Sequence, residues 1–445
     1  MISFLHLGDI HLGYKQYKLP ERENDFCQAF FDICKKAIEK QVDFVLVAGD
    51  LFNYRSISPK SFNEATFVFK TLKEANIPVI AIEGNHDFKE VKSFTNNKGS
   101  WFESLAQSRL IYFLHGYAPD SNTEFKRLKL NEKYLNGEYI DLEIKNKTIR
   151  IIGSAWQGYN AGASFKDYAI AIQKLNEEKP ADFKIFMFHG GHENYLAVNR
   201  GGISGADFNQ LSNIVDYIAL GHIHEHYIIQ NKDGKDLIFN PGSTEANSSA
   251  EADIKRGGLL VNLFEQNLDL NQKLDFRVEL IQDYYQRPFY KLKFNNLRSF
   301  ENIECLFDEA LKQSKELILK TSKECKPIIN FVFTGYLPKV WDISLLGEYI
   351  NNLRQNSKEA GALYCLVKWE VENNSKIYAL SEDDLNKDKS LSRENKERIL
   401  LEDILAAEDS LDEISQKQIS NLMLEVKDLI INKQASSAEV LAQIS

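Results

Sequence analysis

Ile2-Ser3-Phe4-Leu5-His6-Leu7-Gly8-Asp9-Ile10-His11 decides the architecture of this chain. A short apolar run, the length of a buried strand, empties directly into a carboxylate and an imidazole two residues apart. The same arrangement recurs along the sequence. Asp43–Val47 leads to Gly49-Asp50, and Val79–Ile82 leads to Gly84-Asn85-His86-Asp87. Lys184–Phe188 leads to His189-Gly190-Gly191, and Tyr217–Leu220 to Gly221-His222-Ile223-His224. One such motif is weak evidence; five in order, each after a strand-like run, point to a single site. In open α/β sheets sites gather outside the carboxyl ends of the strands, so residues far apart in sequence can converge there.

Helical segments separate the first three strands. Pro20–Lys40 places Phe26, Phe30, Ile33 and Ala37 at helical spacing. Ser58-Pro59 is an N-cap and first-turn pair, followed by Phe62, Thr66, Phe69 and Leu72 on one face. This βαβαβ pattern predicts parallel pairing. Beyond it, 131–151 reads as a hairpin with Asn136-Gly137 and Lys145-Asn146-Lys147 as turns, and two strands flank Asp233-Gly234. The expected fold class is α/β, a two-sheet sandwich flanked by helices and spanning 1–284. A smaller α+β domain follows over 285–375, then a charged linker over 376–399. A helical tail over 400–445 carries Leu401, Ile404, Leu405, Leu411, Ile414, Ile419, Leu422, Val426 and Leu429. That tail reads either as packing on its own domain or as docking a partner.

With 445 residues the chain is long enough for roughly two to four domains. Its 43% hydrophobic and 27% charged composition is that of a globular protein, and no apolar run reaches the ~18 residues of a membrane span. The N-terminus lacks a basic region and a small-residue cleavage site, so no signal peptide is expected. Cys27, Cys34, Cys305, Cys325 and Cys365 form no CxxC pair, which speaks against a disulfide framework and for a reducing cytoplasm. A net charge of −10 counts mildly against a nucleic-acid substrate, because Lys and Arg make most phosphate contacts.

Asp9, His11, Asp50, Asn85, His189, His222 and His224 together offer what two transition-metal ions need. Asp50 is the natural bridge, with one carboxylate oxygen for each ion. Two metals ~3.5–4 Å apart can clamp a phosphate and activate a hydroxide. The imidazole and carboxylate mixture suits manganese, iron or zinc better than calcium or magnesium. His86 fits a phosphate-facing role, stabilising charge or protonating the leaving oxygen. Asp87 is expected to orient its imidazole, or else to cap a helix. His6, His115, His192 and His226 read as structural or surface residues, His6 with a place behind the ligands.

These motifs resemble the calcineurin-like metallophosphoesterases, and within them the SbcD-type double-strand-break repair nucleases. Supporting stretches are Leu7–Tyr14, Pro20-Glu21-Arg22-Glu23, Val47–Phe52, Ile82–Asp87, Asn240-Pro241-Gly242-Ser243-Thr244-Glu245 and Arg287-Pro288-Phe289, the last matching the opening of that family's capping domain. The likeness spans about residues 1–375. It implies a manganese-dependent DNA nuclease, with 3′–5′ exonuclease and single-strand endonuclease activity, built as a metallophosphoesterase sandwich with a capping domain. It implies a homodimer through the N-terminal helices and an SbcC-like ABC ATPase partner, for which the tail around 400–432 is the expected contact. One metal would take Asp9, His11, Asp50 and His224; the other would take Asp50, Asn85, His189 and His222; His86 would be the catalytic histidine. The family's second active-site histidine is replaced by Asn53, which can donate to phosphate but cannot act as an acid. His189-Gly190-Gly191 departs from the usual His-Gln-Gly. The alternative readings are a phosphodiesterase acting on a small phosphoester and a scaffold without catalysis. On the capping domain Lys291, Lys293 and Arg298 are the candidates for a DNA path.

Overall fold

The computed structural model describes residues 1–87, 100–117, 125–129, 135–268, 271–322, 325–338 and 341–372. The linker expected over 376–399 and the helices expected over 400–445 lie outside them. The described chain divides into two compact units. The first holds Met1–Phe289 with Thr321–Pro327; the second holds Tyr290–Lys320 and the described chain from Ile328.

The first unit runs β1 (Ile2–Leu7), α1 (Pro20–Glu39), β2 (Phe44–Ala48), α2 (Pro59–Glu74), β3 (Val79–Ile82), α3 (Trp101–Gln107), β4 (Tyr112–Leu114) and β5 (Asn136–Gly137). It continues with β6 (Tyr139–Ile144), β7 (Lys147–Gly153), α4 (Phe165–Glu178), β8 (Phe183–His189), α5 (Gly205–Asn209), β9 (Tyr217–Gly221), β10 (Tyr227–Gln230), β11 (Asp236–Asn240), β12 (Gly258–Leu268) and β13 (Asn271–Ile281). Seven strands form one sheet in the order β13-β12-β1-β2-β3-β4-β5, and six form the other in the order β10-β11-β9-β8-β7-β6. β1, β2 and β3 pair in parallel, as the βαβαβ reading predicts. All three are buried along their whole length, which explains their unbroken apolar runs.

The sheets meet over one core that takes Phe4, Val45 and Ile80 from the first and Ile185, Tyr217 and Phe239 from the second. Tyr217 stands at its centre, stacked on Phe239 at 4.1 Å and edge-on to Phe4 at 5.4 Å. Each such fully buried side chain contributes about 1.5–3 kcal/mol. His6 bridges the sheets as a structural residue. Its Nδ1 lies 3.0 Å from Tyr217 Oη and its Nε2 2.9 Å from the Leu220 carbonyl. Burial pushes its imidazole down to about 3, so it stays neutral.

One local expectation holds and one is corrected. The β6–β7 hairpin turns at Lys145-Asn146, both at positive φ (51° and 62°). Asn136-Gly137 is not a turn but the short strand β5, paired with β4 in the other sheet. A Cβ on Gly137 would lie 2.7 Å from the Leu128 backbone, so the glycine serves close approach rather than reversal. The long β12–β13 hairpin, not anticipated from the sequence, covers β1 on its antiparallel side.

A buried polar cluster ties together three stretches that carried the resemblance without supplying metal ligands. Arg22 donates to Gln16 Oε1 (2.7 Å), Asp25 Oδ2 (2.6 Å) and the Ala246 carbonyl (2.9 Å), with Glu245 at 3.4 Å. Its guanidinium lies 5.2 Å from the Phe26 ring and 5.1 Å from the Phe289 ring. Arg287 and the Tyr285 hydroxyl donate to the same Asp25 carboxylate, each at 2.6 Å to Oδ1. The Arg287 backbone N–H donates to Glu245 (2.8 Å), and its side chain to the Lys326 carbonyl.

The second unit holds β14 (Phe289–Phe294, entering the unit at Tyr290), α6 (Ile303–Lys320), β15 (Ile328–Tyr336), α7 (Leu346–Glu359) and β16 (Tyr364–Glu372). Its three strands lie in the order β14-β15-β16, with β15 and β16 parallel. Phe307, Phe333 and Trp369 form its aromatic centre. Lys293 and Arg298 are exposed, and the Arg298 guanidinium sits over the Tyr336 ring at 5.8 Å.

Candidate active site

The candidate site lies where β1, β2, β3, β8 and β9 end, at the carboxyl edges of both sheets. The chain turns sharply at these ends. Asp9, His11, Asp50 and His222 all have φ between 51° and 91°, a region that costs L-residues energy and recurs at functional sites. The turns lock one another: Ile10 N (2.9 Å) and His11 N (3.0 Å) donate to the Asp50 carbonyl, and Asp9 N to that of Gly49 (3.2 Å). The Asn240–Glu245 loop braces the other side. Ser243 N donates to the His224 carbonyl (3.1 Å) and Thr244 N to that of Asp9 (3.4 Å).

Gly49, at φ 90°, permits the closest approach. A Cβ there would lie 2.3 Å from His189 Nδ1 and 2.9 Å from Gly84 Cα. Gly49→Ala is therefore expected to displace His189 and to weaken divalent-metal binding at least tenfold. The left-handed strain would add about 1–3 kcal/mol of destabilisation. Metal titration and urea unfolding of the variant check this; unchanged affinity would contradict it.

The side chains converge in three overlapping groups: Asp9, His11 and His224; His11, Asp50 and His86; Asp50, His189 and His222. In each, one ligand atom per residue lies within 4.8 Å of the others. His11 Nε2 lies 3.2 Å from His224 Nε2. Asn85 Oδ1 lies 3.1 Å from His189 Nε2 and 2.9 Å from His222 Nδ1. Asp50 Oδ2 lies 3.4 Å from His189 Nε2 and 3.9 Å from His11 Nε2. Both Asp9 oxygens accept from His222 N, at 2.9 and 2.8 Å.

Electrostatics and tautomers point the same way. His189 Nδ1 donates to the Ala48 carbonyl (2.8 Å), which points Nε2 toward Asn85 and Asp50; that atom carries the proton Asp50 favours until a cation takes its place. Glu251 lies 3.1 Å from His224 Nδ1 and places that ring's Nε2 in the same way. Lone pairs facing each other across about 3 Å match neighbouring ligands held about 2.1 Å from a shared cation. Asp9 and Asp50 are buried together. Burial, with Asp50 adding, pushes the Asp9 carboxyl up to about 6 against the pull of His224 and His189. Burial also raises Asp50, but the His189, His11 and His86 imidazoles outweigh it and hold the carboxyl low. Burial lowers His189, yet Asp50 lifts it to about 9; burial and His189 push His222 down to about 3. Carboxylates this buried need compensating positive charge. The donor set of imidazoles, carboxylates and one amide oxygen fits a pair of borderline divalent cations.

The family model described as calcineurin-like phosphoesterase matches residues 2–226. The chain belongs to the calcineurin-like phosphoesterases. Among its relatives are proteins named DNA double-strand break repair protein Mre11. The Archaeoglobus fulgidus protein is 30% identical over 56% of this chain and 52% of its own length. The Methanococcus maripaludis protein is 30% identical over 62% of this chain and 67% of its own. The Methanocaldococcus jannaschii protein is 27% identical over 73% and 78%. The chain thus spans from half to about three-quarters of the length of these relatives, and within the superfamily it groups with the Mre11 and SbcD repair proteins.

In this phosphoesterase two expectations need correction. Asp87 does not reach the His86 ring. Its carboxylate accepts from three backbone N–H groups, Leu51 (3.2 Å), Phe52 (2.9 Å) and Gly84 (3.0 Å), and so joins the ends of β2 and β3. The His86 ring is held instead through Nδ1, 2.7 Å from the Asn53 carbonyl. The two Asp50 oxygens also divide their contacts unevenly: Oδ1 accepts from His86 N (2.9 Å), whereas Oδ2 faces both His11 and His189. Sequence reasoning missed Glu251 behind His224, since nothing in Ser248–Glu251 marks a site. It also missed Trp156, which follows β7, whose ring centroid lies 5.8 Å from those of His189 and His222. A carboxyl-edge residue after a buried strand was the signal available for it.

Proposed function

We propose that this phosphoesterase is a manganese-dependent nuclease that trims DNA ends in double-strand-break repair, with 3′–5′ exonuclease and single-strand endonuclease activity. One observation carries the reading: Asp9, His11, Asp50, Asn85, His189, His222 and His224 converge, with His86 beside them, in a chain related to break-repair proteins. Asp9, His11, Asp50 and His224 would hold one ion, and Asp50, Asn85, His189 and His222 the other. A bound pair of divalent ions supplies Lewis acidity toward the scissile phosphate and lowers the pKa of the attacking water. The chain's own groups orient the substrate. With Nδ1 committed to the Asn53 carbonyl, His86 presents Nε2 to the phosphate and can hold charge there or pass a proton to the leaving oxygen.

Further parts of the reading follow from the family likeness. A second copy would dock on the N-terminal helices, where Phe67 of α2 is 58% exposed and packs on Phe31 of α1 at 5.5 Å. An ABC ATPase of the SbcC type would bind the 400–432 segment in the cytoplasm. The deciding experiment is manganese-dependent cleavage of end-labelled duplex and single-stranded DNA. His86→Ala is expected to lower kcat by about 10²–10⁴ while metal binding persists. Asn53→His is expected to increase end resection, because it restores a second titratable ring at the phosphate. Hydrolysis of a phosphodiester dye with DNA left intact would move the assignment to a small phosphoester substrate.

A further inference from the structure

A cavity of ≈ 240 Å³ opens beside Asn85, His189 and His222, lined by Trp156, Arg55 and Arg200 together with Gly158, Gly190 and Gly201. We infer that it seats one nucleobase of the substrate, stacked on Trp156, with Arg55 and Arg200 taking the phosphates next to the one being cut. This rests on the nuclease reading and names how that site grips its substrate.

Four observations carry it. First, the lining joins an aromatic ring to two cations and contains no carboxylate, in a chain of net charge −10. Second, both arginines are exposed, and among the described residues neither guanidinium has a hydrogen-bond or ion-pair partner. Unpaired guanidinium groups at the mouth of a phosphoester site are suited to phosphate oxygens, which they can grip bidentately. Third, Trp156 is half-buried with its ring against two of the proposed metal ligands, so a base stacked there belongs to a nucleotide flanking the scissile phosphate. Fourth, the space is smaller than the ~300–1,000 Å³ of a drug-sized pocket, enough for one flat group but not for a duplex. Gly158 (φ 70°) and Gly201 (φ 94°) turn the chain at its rim through left-handed backbone that favours glycine. Stacking is indifferent to base identity, as end processing requires, because every base has a π-face.

The test reads binding, not turnover. The full chain with manganese is titrated with thymidine 5′-monophosphate and with 2-deoxyribose 5-phosphate, which lacks only the base. The nucleotide is expected to bind about tenfold tighter or better, in line with stacking on an aromatic side chain. In Trp156→Ala the gap should shrink below about twofold, and Trp156→Phe should retain most of it. The dinucleotide pTpT, which carries a second phosphate, should bind roughly three- to tenfold more weakly to Arg55→Gln or Arg200→Gln, with the gap between the two single-phosphate probes intact. Equal affinities for the two probes, or a gap that survives Trp156→Ala, would overturn the inference. Absence of DNA cleavage would overturn the nuclease reading instead, so the two failures are distinguishable.

Discussion

Asp50→Asn is expected to lower metal-dependent phosphodiester hydrolysis by about 10³-fold or more, while the protein stays folded. The amide matches the carboxylate in size and can still accept the backbone N–H of His86, now 2.9 Å from Asp50 Oδ1. The backbone turn at φ 51° is tolerated by asparagine, so local strain should not change. What is lost is the charge that Oδ2 presents to both His189 and His11. Losing the proposed bridge should forfeit several kcal/mol of the ions' transition-state stabilisation, and about 1.4 kcal/mol corresponds to tenfold in rate. The same variant should lose most of the stabilisation that metal confers. Saturating the natural protein at about 100 times Kd should add about 2.7 kcal/mol, seen as a rise in Tm. Kinetics and thermal melts with and without manganese check both halves. Activity within tenfold of the natural protein would remove Asp50 from the metal centre.

The second large effect is one of stability. Asp25→Ala should destabilise the first unit by about 3–5 kcal/mol, because it strips the shared partner from two buried guanidinium groups. Asp25 is 3% exposed and receives Arg22, Arg287 and the Tyr285 hydroxyl. Gln16 and Glu245 stay with Arg22, and Arg287 keeps only the Tyr285 hydroxyl and the Lys326 carbonyl. Burying the whole cluster is not itself a strong stabiliser, since desolvation offsets much of the attraction. Breaking it in one place is what costs. Urea unfolding followed by circular dichroism measures the loss; a change under 1 kcal/mol would show that the cluster is wetter than its burial implies.

Much of this protein is legible in its sequence. Apolar runs of strand length ending in Asp9, Asp50 and Asn85 reveal the parallel strands and the candidate ligands at once. The reason is local: a strand buried on both faces must be apolar throughout, and the turn that ends it is written in the next few residues. Ser58 shows the same legibility, since capping needs only its own hydroxyl and the Ser61 N–H three residues on. Asn136-Gly137 failed for the complementary reason. The pair suits a tight turn, but its part in the fold depends on β4, more than twenty residues earlier. Asp87 failed likewise, because its three donors lie on two chain segments and no spacing rule joins Leu51 to Gly84.

Strand ends, donor types and the phosphoesterase likeness are thus written in short stretches of chain. Each of these is encoded within a few neighbouring residues. Which groups meet depends on packing across the two sheets. It placed Glu251 behind His224, the Asn53 carbonyl under His86, Trp156 beside His189, and Arg22 on the same carboxylate as Arg287. Apart from Arg22–Asp25, these contacts join residues separated by 27 to 262 positions, and they are selected by packing between sheets and loops rather than by local chain geometry.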